Sequence, residues 1–132
     1  MTASEAFVLV VEDNAVNFEL TKFLLENMGL SVCRAAAGEQ ALSIVSERVP
    51  ALVVMDIQLP GMDGLETTRR LRARPETSRT PIIGLSALAM ASDREQALAA
   101  GCDAYLTKPF NLAELQETVL RYLDGHAADQ VS

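Results

Sequence analysis

Five short apolar runs constrain what this chain can fold into: 7–11 (FVLVV), 30–35 (LSVCRA), 51–55 (ALVVM), 81–85 (PIIGL) and 104–107 (AYLT). The first, third and fourth are nearly continuous in Val, Ile and Leu. A strand wetted on one face alternates apolar and polar residues, so unbroken runs predict parallel strands covered on both faces. The segments between them carry helical period. After the first run, Val16, Leu20, Phe23, Leu24 and Asn27 form one stripe, with Asn14 as N-cap and Gly29 as the stop. A helix over 39–48 follows, with Leu42, Val45 and Val49 expected inward and Pro50 ending it. Further helices are expected over 64–73, over 90–100 before Gly101, and over 112–123. The last has Asn111 as N-cap and Leu112, Leu115, Val119, Tyr122 and Leu123 inward. Five βα units in succession predict an α/β fold, a doubly wound five-stranded parallel sheet with helices on both faces.

The 132 residues make one domain and leave no room for two. We expect an N-terminal extension over 1–5, a folded domain over 6–124 and a flexible tail over 125–132. An apolar content of 49% excludes a disordered chain. Eleven Lys and Arg against eighteen Asp and Glu leave a net charge of -7, which argues against binding nucleic-acid phosphates. No apolar run approaches the roughly 18 residues of a membrane span, and no basic stretch precedes the first run. Cys33 and Cys102 are too few for a disulfide framework and read as small packing residues. A cytoplasmic location is the expectation.

In an open parallel sheet, ligands bind beyond the carboxyl ends of the strands, where the strand order reverses. Glu12 and Asp13 follow the first run, Asp56 the third, Ser86 and Ala87 the fourth, and Lys108 and Pro109 the fifth. Each alone reads as a loop, cap or surface residue; together they converge on one edge. Three carboxylates about 5 Å apart repel by roughly 3 kcal/mol per pair at an effective dielectric of 20, more than one lysine offsets. A divalent cation bound by oxygens answers that repulsion, and Mg²⁺ fits an oxygen-only set better than zinc. A metal with few protein ligands keeps positions for water and a phosphoryl oxygen, which points to phosphoryl chemistry.

Four segments strongly resemble the receiver domain of response regulators in bacterial two-component systems. They are Val11-Glu12-Asp13-Asn14, the run from Met55 through Asp56 to Gly64, Leu85-Ser86-Ala87, and Tyr105-Leu106-Thr107-Lys108-Pro109-Phe110. The likeness spans about residues 6–124. It implies a flavodoxin-like sheet of strand order 2-1-3-4-5, with Asp56 as the acceptor of a phosphoryl group from a partner phosphohistidine. Asp13, Asp56 and the Gln58 main-chain carbonyl would hold Mg²⁺, with Glu12 acting through water. Lys108 would pair with Asp56 and then with the phosphoryl oxygens. The Ser86 hydroxyl would move to the phosphoryl group, Tyr105 would change rotamer, and the Lys108-Pro109 bond would be cis. Such a domain is no enzyme beyond promoting its own phosphorylation and dephosphorylation. Leu88 cannot hold a water by hydrogen bonding, so slow self-dephosphorylation is expected.

The implied partners are a sensor histidine kinase or histidine phosphotransfer protein and a downstream protein target. Neither nucleic acid nor membrane is expected, and the protein is expected as a monomer or weak dimer. The switching surface is expected on the 90–100 helix, thin in large apolar residues, on the Tyr105 strand and on the last helix. Phe18 and Leu25, opposite the Val16 stripe, are expected to face solvent and dock the phosphodonor with Asn14, Lys22 and Pro109. Arg69, Arg70, Arg72, Arg74 and Arg79 read as a solvated face. A module that binds partners without phosphorylation, or a receiver cut from a hybrid histidine kinase, is the alternative. An aspartyl-phosphate phosphatase would need a DxD motif after the first strand. An FMN carrier would find its phosphate repelled by Glu12 and Asp13, and a P-loop enzyme lacks its glycine-lysine loop.

Overall fold

A computed structural model describes the backbone of residues 6–131 and the side chains of 6–123. The expected extension over 1–5, Ser132 and the side chain of His126 lie outside what is described. The strands are β1 (Val8–Val11), β2 (Val32–Ala35), β3 (Leu52–Asp56), β4 (Ile82–Ser86) and β5 (Ala104–Thr107). The helices are α1 (Ala15–Glu26), α2 (Gly38–Val45), α3 (Gly64–Ala73), α4 (Ala91–Ala100) and α5 (Leu112–Val131). A single 3₁₀ turn, Pro75–Thr77, which periodicity does not foretell, links α3 to β4.

All strands pair in parallel, in the order β2-β1-β3-β4-β5. Every residue of β1, β3 and β4 is buried, in keeping with their nearly continuous apolar runs. Successive side chains point to opposite faces and feed two cores. Leu9, Val11, Val53 and Met55 pack with Val45, Leu71 and Ala97 of α2, α3 and α4. Val8, Val10, Leu52 and Val54 pack with Phe18, Leu25, Leu115 and Val119 of α1 and α5.

Helix α1 corrects the expected docking face. Phe18 and Leu25 are buried at 8% and 0% exposure, whereas Val16, Leu20 and Phe23 are 77%, 57% and 62% exposed. Phe18, buried Thr21 and Leu25 stand at i, i+3 and i+7, a helical stripe in their own right. The rival stripe holds more apolar residues, but packing chose the one with Leu25, whose burial stabilises by roughly 1.5–3 kcal/mol. Smaller corrections have local causes. Helix α2 ends at Val45, so Val49 lies beyond it, exposed, while Val45 is buried and Leu42 half-buried. Leu112 is exposed on the first turn of α5. The α5 backbone runs on to Val131, past the expected end at 123. Gly125 costs only about 1 kcal/mol in a helix, no proline follows, and Ala127 and Ala128 favour continuation.

Candidate functional site

The register brings the chemical residues together. Val11 lies opposite Met55 across β1 and β3, so Glu12 and Asp56 emerge side by side where the strand order reverses. Asp56 lies opposite Leu85 and Ser86 opposite Thr107, which lines up Ser86 and Lys108 along the same edge. Asp56 and Ser86 are the last residues of β3 and β4 rather than the first of the loops, and both are buried. The ladder therefore fixes their backbones. Two glycines shape the wall opposite. Gly61 adopts φ +71°, a left-handed turn that side chains disfavour. A Cβ on Gly64 would collide with the Asp56 carbonyl oxygen and the Ile57 backbone, so only glycine lets α3 start so close to the acid.

Glu12, Asp13 and Asp56 each offer one carboxylate oxygen, and these lie within 4.8 Å of one another. The Lys108 ammonium stands 3.6 Å from Glu12 Oε1 and 3.7 Å from Asp56 Oδ1. The Gln58 N–H donates to Asp56 Oδ1 at 3.0 Å, and the Asn14 N–H donates to Glu12 Oε2 at 3.2 Å. Glu12 is 3% exposed. Burial first, and then its contact with the Asp56 carboxylate, push its pKa up to about 6; the Asn14 N–H and Lys108 oppose the rise. An all-oxygen donor set, largely buried, crowded together and only partly neutralised by one lysine, fits a hard divalent cation such as Mg²⁺. The Lys108-Pro109 peptide is cis.

The expected site residues fall into two groups. Glu12, Asp13, Asp56, Gln58, Ser86 and Lys108 converge. Tyr105 is buried on β5, its hydroxyl donating to the Leu88 carbonyl. Of the expected docking residues, Asn14, Lys22 and Pro109 remain accessible, while Phe18 and Leu25 belong to the core. Asn14 caps α1, accepting from the Asn17 N–H at 2.9 Å.

Arg34 was not foreseen. From β2 its guanidinium donates to the Glu12 carbonyl at 3.2 Å and the Asp13 carbonyl at 3.0 Å, and lies 5.1 Å over the Phe18 ring. It ties the acidic loop to the sheet through main-chain oxygens, which residue type alone does not foretell. The arginine cluster also divides. Arg69 and Arg70 pair with Glu66 on the surface of α3. Arg72 binds the carbonyls of Gly101, Thr77 and Thr80 and the Asp103 carboxylate, so it is structural.

A doubly wound parallel sheet with a buried aspartate, two further acids and a lysine at its switch point defines a class of phosphoacceptor signalling domains. The profile described as response regulator receiver domain matches residues 8–120, and the chain belongs to that family. It is similar to a polar-differentiation response regulator DivK from Brucella ovis, with 40% identity over 116 residues, 88% of this chain and 94% of that protein. The receiver domain of a Pseudomonas aeruginosa sensor histidine kinase, with magnesium ion coordinated in the active site cleft, is 39% identical. It superposes with a TM-score of 0.84 over 90% of this chain and 98% of that one. A chemotaxis response regulator of Vibrio cholerae gives 28% identity and a TM-score of 0.83, covering 89% and 98%. The flavodoxin-like fold and strand order thus agree with the sequence expectation. Among the described residues, no helix is long and apolar enough to cross a membrane.

Proposed function

We propose that Asp56 accepts a phosphoryl group from a phosphohistidine on a sensor histidine kinase or histidine phosphotransfer protein, and that the modified domain presents an altered surface to a downstream protein. The observation that carries this reading is the convergence of Glu12, Asp13, Asp56 and Lys108 at one strand edge. An Asp56 carboxylate oxygen attacks phosphorus, the phosphorus–nitrogen bond breaks, and its electron pair returns to the departing imidazole. Lys108 then exchanges carboxylate oxygens for phosphoryl oxygens, and the Ser86 hydroxyl donates to the transferred group. Mg²⁺ held by Asp13, Asp56 and the Gln58 carbonyl, with Glu12 behind water, would offset the negative charge gathered there. Beyond promoting its own phosphorylation and dephosphorylation, the domain catalyses nothing in this reading.

The docking surface for the phosphodonor follows from the corrected face of α1. A groove of about 610 Å³ runs from Glu12 and Lys108 along Leu20, Leu24, Phe110 and Leu112. Leu20 and Pro109 of this lining are exposed, as is Val16 one turn earlier on α1, which suits a helical donor carrying its phosphohistidine on the apolar face. The switching surface comprises α4, β5 with Tyr105, and α5.

Intact mass after incubation with acetyl phosphate and Mg²⁺ tests the acceptor. Wild type gains one phosphoryl group and Asp56→Asn gains none. Failure of wild type to gain it from either acetyl phosphate or a histidine kinase, or an equal gain by the variant, overturns the proposal.

A further inference from the structure

Gln58 stands two residues past Asp56 with its side chain exposed, yet its amide oxygen gathers two donors from across the site. Oε1 accepts from the Ala87 N–H at 2.8 Å and from the Ser86 hydroxyl at 3.3 Å. A main-chain N–H can only donate, so the amide oxygen rather than its nitrogen must face it. Ser86 Oγ, its hydrogen given to Gln58, accepts in turn from the Leu88 N–H at 3.0 Å. The Leu88 carbonyl accepts from the Tyr105 hydroxyl, and Arg94 of α4 donates to the Tyr105 carbonyl at 3.3 Å. Hydrogen bonds thus connect Gln58, beside the acid pocket, through the β4–α4 loop to β5 and α4.

Little else holds that loop. Leu88 and Met90 are 45% and 71% exposed, and α4 buries only Ala97 and Ala100. Without an apolar anchor, hydrogen bonds decide the position of residues 87–90. The Ser86 hydroxyl and the Ala87 N–H each carry one hydrogen, and both belong to the two residues that follow Leu85, the β4 partner of Asp56. Oxygens of a phosphoryl group on Asp56 accept the same two hydrogens, and as charged acceptors they bind them about twice as strongly as a neutral amide.

Resting on the phosphoacceptor reading of Asp56, we propose that Gln58 is a positioning residue that holds the loop in its unphosphorylated arrangement. Its amide oxygen competes with the phosphoryl group for the Ser86 and Ala87 hydrogens. Releasing them is part of the cost of switching, so Gln58 sets how strongly the domain must be driven.

Beryllofluoride, a phosphoryl mimic that is not hydrolysed, tests this in the presence of Mg²⁺, because any effect of Gln58 on phosphoryl lifetime drops out. Gln58→Met keeps the side-chain length without the acceptor, and Gln58→Ala removes the side chain. Both variants should bind beryllofluoride about threefold to tenfold more tightly than wild type, the range expected for one or two hydrogen bonds released. In the unliganded variants, the Ala87 and Leu88 amide resonances should move toward their positions in the beryllofluoride-bound wild type. Unchanged or weaker binding in both folded variants overturns the proposal, as do unmoved amide resonances. Absence of Asp56-dependent binding in wild type overturns the acceptor reading itself; binding in wild type without tightening in the variants overturns only the role of Gln58.

Discussion

Helices α3 and α4 lie on the same face of the sheet, have ten residues each, and are held in opposite ways. Helix α3 is capped by Asp63, whose carboxylate accepts from the Glu66 N–H at 2.9 Å, and it carries Arg70 and Arg72 in its last turn, where cations favour the helix dipole. It buries Gly64, Thr67, Thr68 and Leu71. Helix α4 follows Met90, whose side chain has no oxygen to cap with, so only the reverse bond, from the Met90 N–H to Asp93 Oδ2 at 3.2 Å, secures that end. Met90 before the helix and Leu98 within it are 71% and 39% exposed. Its C-terminal end is tied down where Arg72 binds the Gly101 carbonyl at 2.9 Å. The contrast places stability under the acid pocket and looseness at the start of α4, next to Ser86. A domain built to switch needs both: a fixed place for chemistry and a neighbour that yields.

Truncating each helix in turn is the strongest way to break this contrast. Leu71→Ala removes a side chain with 0% exposure and should cost about 2–4 kcal/mol in urea unfolding. A loss below about 1 kcal/mol would mean α3 is not the anchored element. The pocket itself offers a second, smaller effect. Burial raises the pKa of Glu12 from its ordinary 4.5 to about 6, so the folded state prefers the neutral acid. That contribution is complete below pH 4.5 and is lost as pH rises through 6. Without metal, Glu12→Gln should therefore gain on wild type by about 1–2 kcal/mol from pH 4.5 to neutrality. A pH-independent difference would show that Glu12 is not strained. At the small end, Leu98→Ala on α4 should change stability by less than about 0.5 kcal/mol. A loss comparable to that of Leu71→Ala would erase the distinction between the two helices.

The sheet was legible because the runs 7–11, 51–55 and 81–85 are nearly continuous in apolar residues, the pattern of strands buried on both faces. The convergence of Glu12, Asp56, Ser86 and Lys108 was legible for a related reason: strand ends in a parallel sheet share one edge. Helix α1 was not, because it is apolar on two sides. Whether Phe18 and Leu25 or Val16, Leu20 and Phe23 turn inward depends on how the helix docks, and periodicity does not carry that information. Arg34 and the Gln58 amide escaped for another reason. Both act on hydrogen-bonding groups brought near by the tertiary fold, at sequence separations of 22 for Arg34 to Glu12 and 29 for Ala87 to Gln58. The expected flexible tail over 125–132 hid the continuation of α5 past 123, because one glycine in a helix is only a modest penalty.

Backbone amide spectra before and after acetyl phosphate and Mg²⁺ test the central claim, that modification of Asp56 in a fixed pocket is relayed to a loosely held neighbour. Wild type should shift at Ser86, Ala87, Leu88, the first turn of α4 and Tyr105, while Thr67, Thr68 and Leu71 of α3 stay in place and Asp56→Asn shows none of these changes. Equal changes in Asp56→Asn, or shifts as large along α3 as along α4, would contradict it.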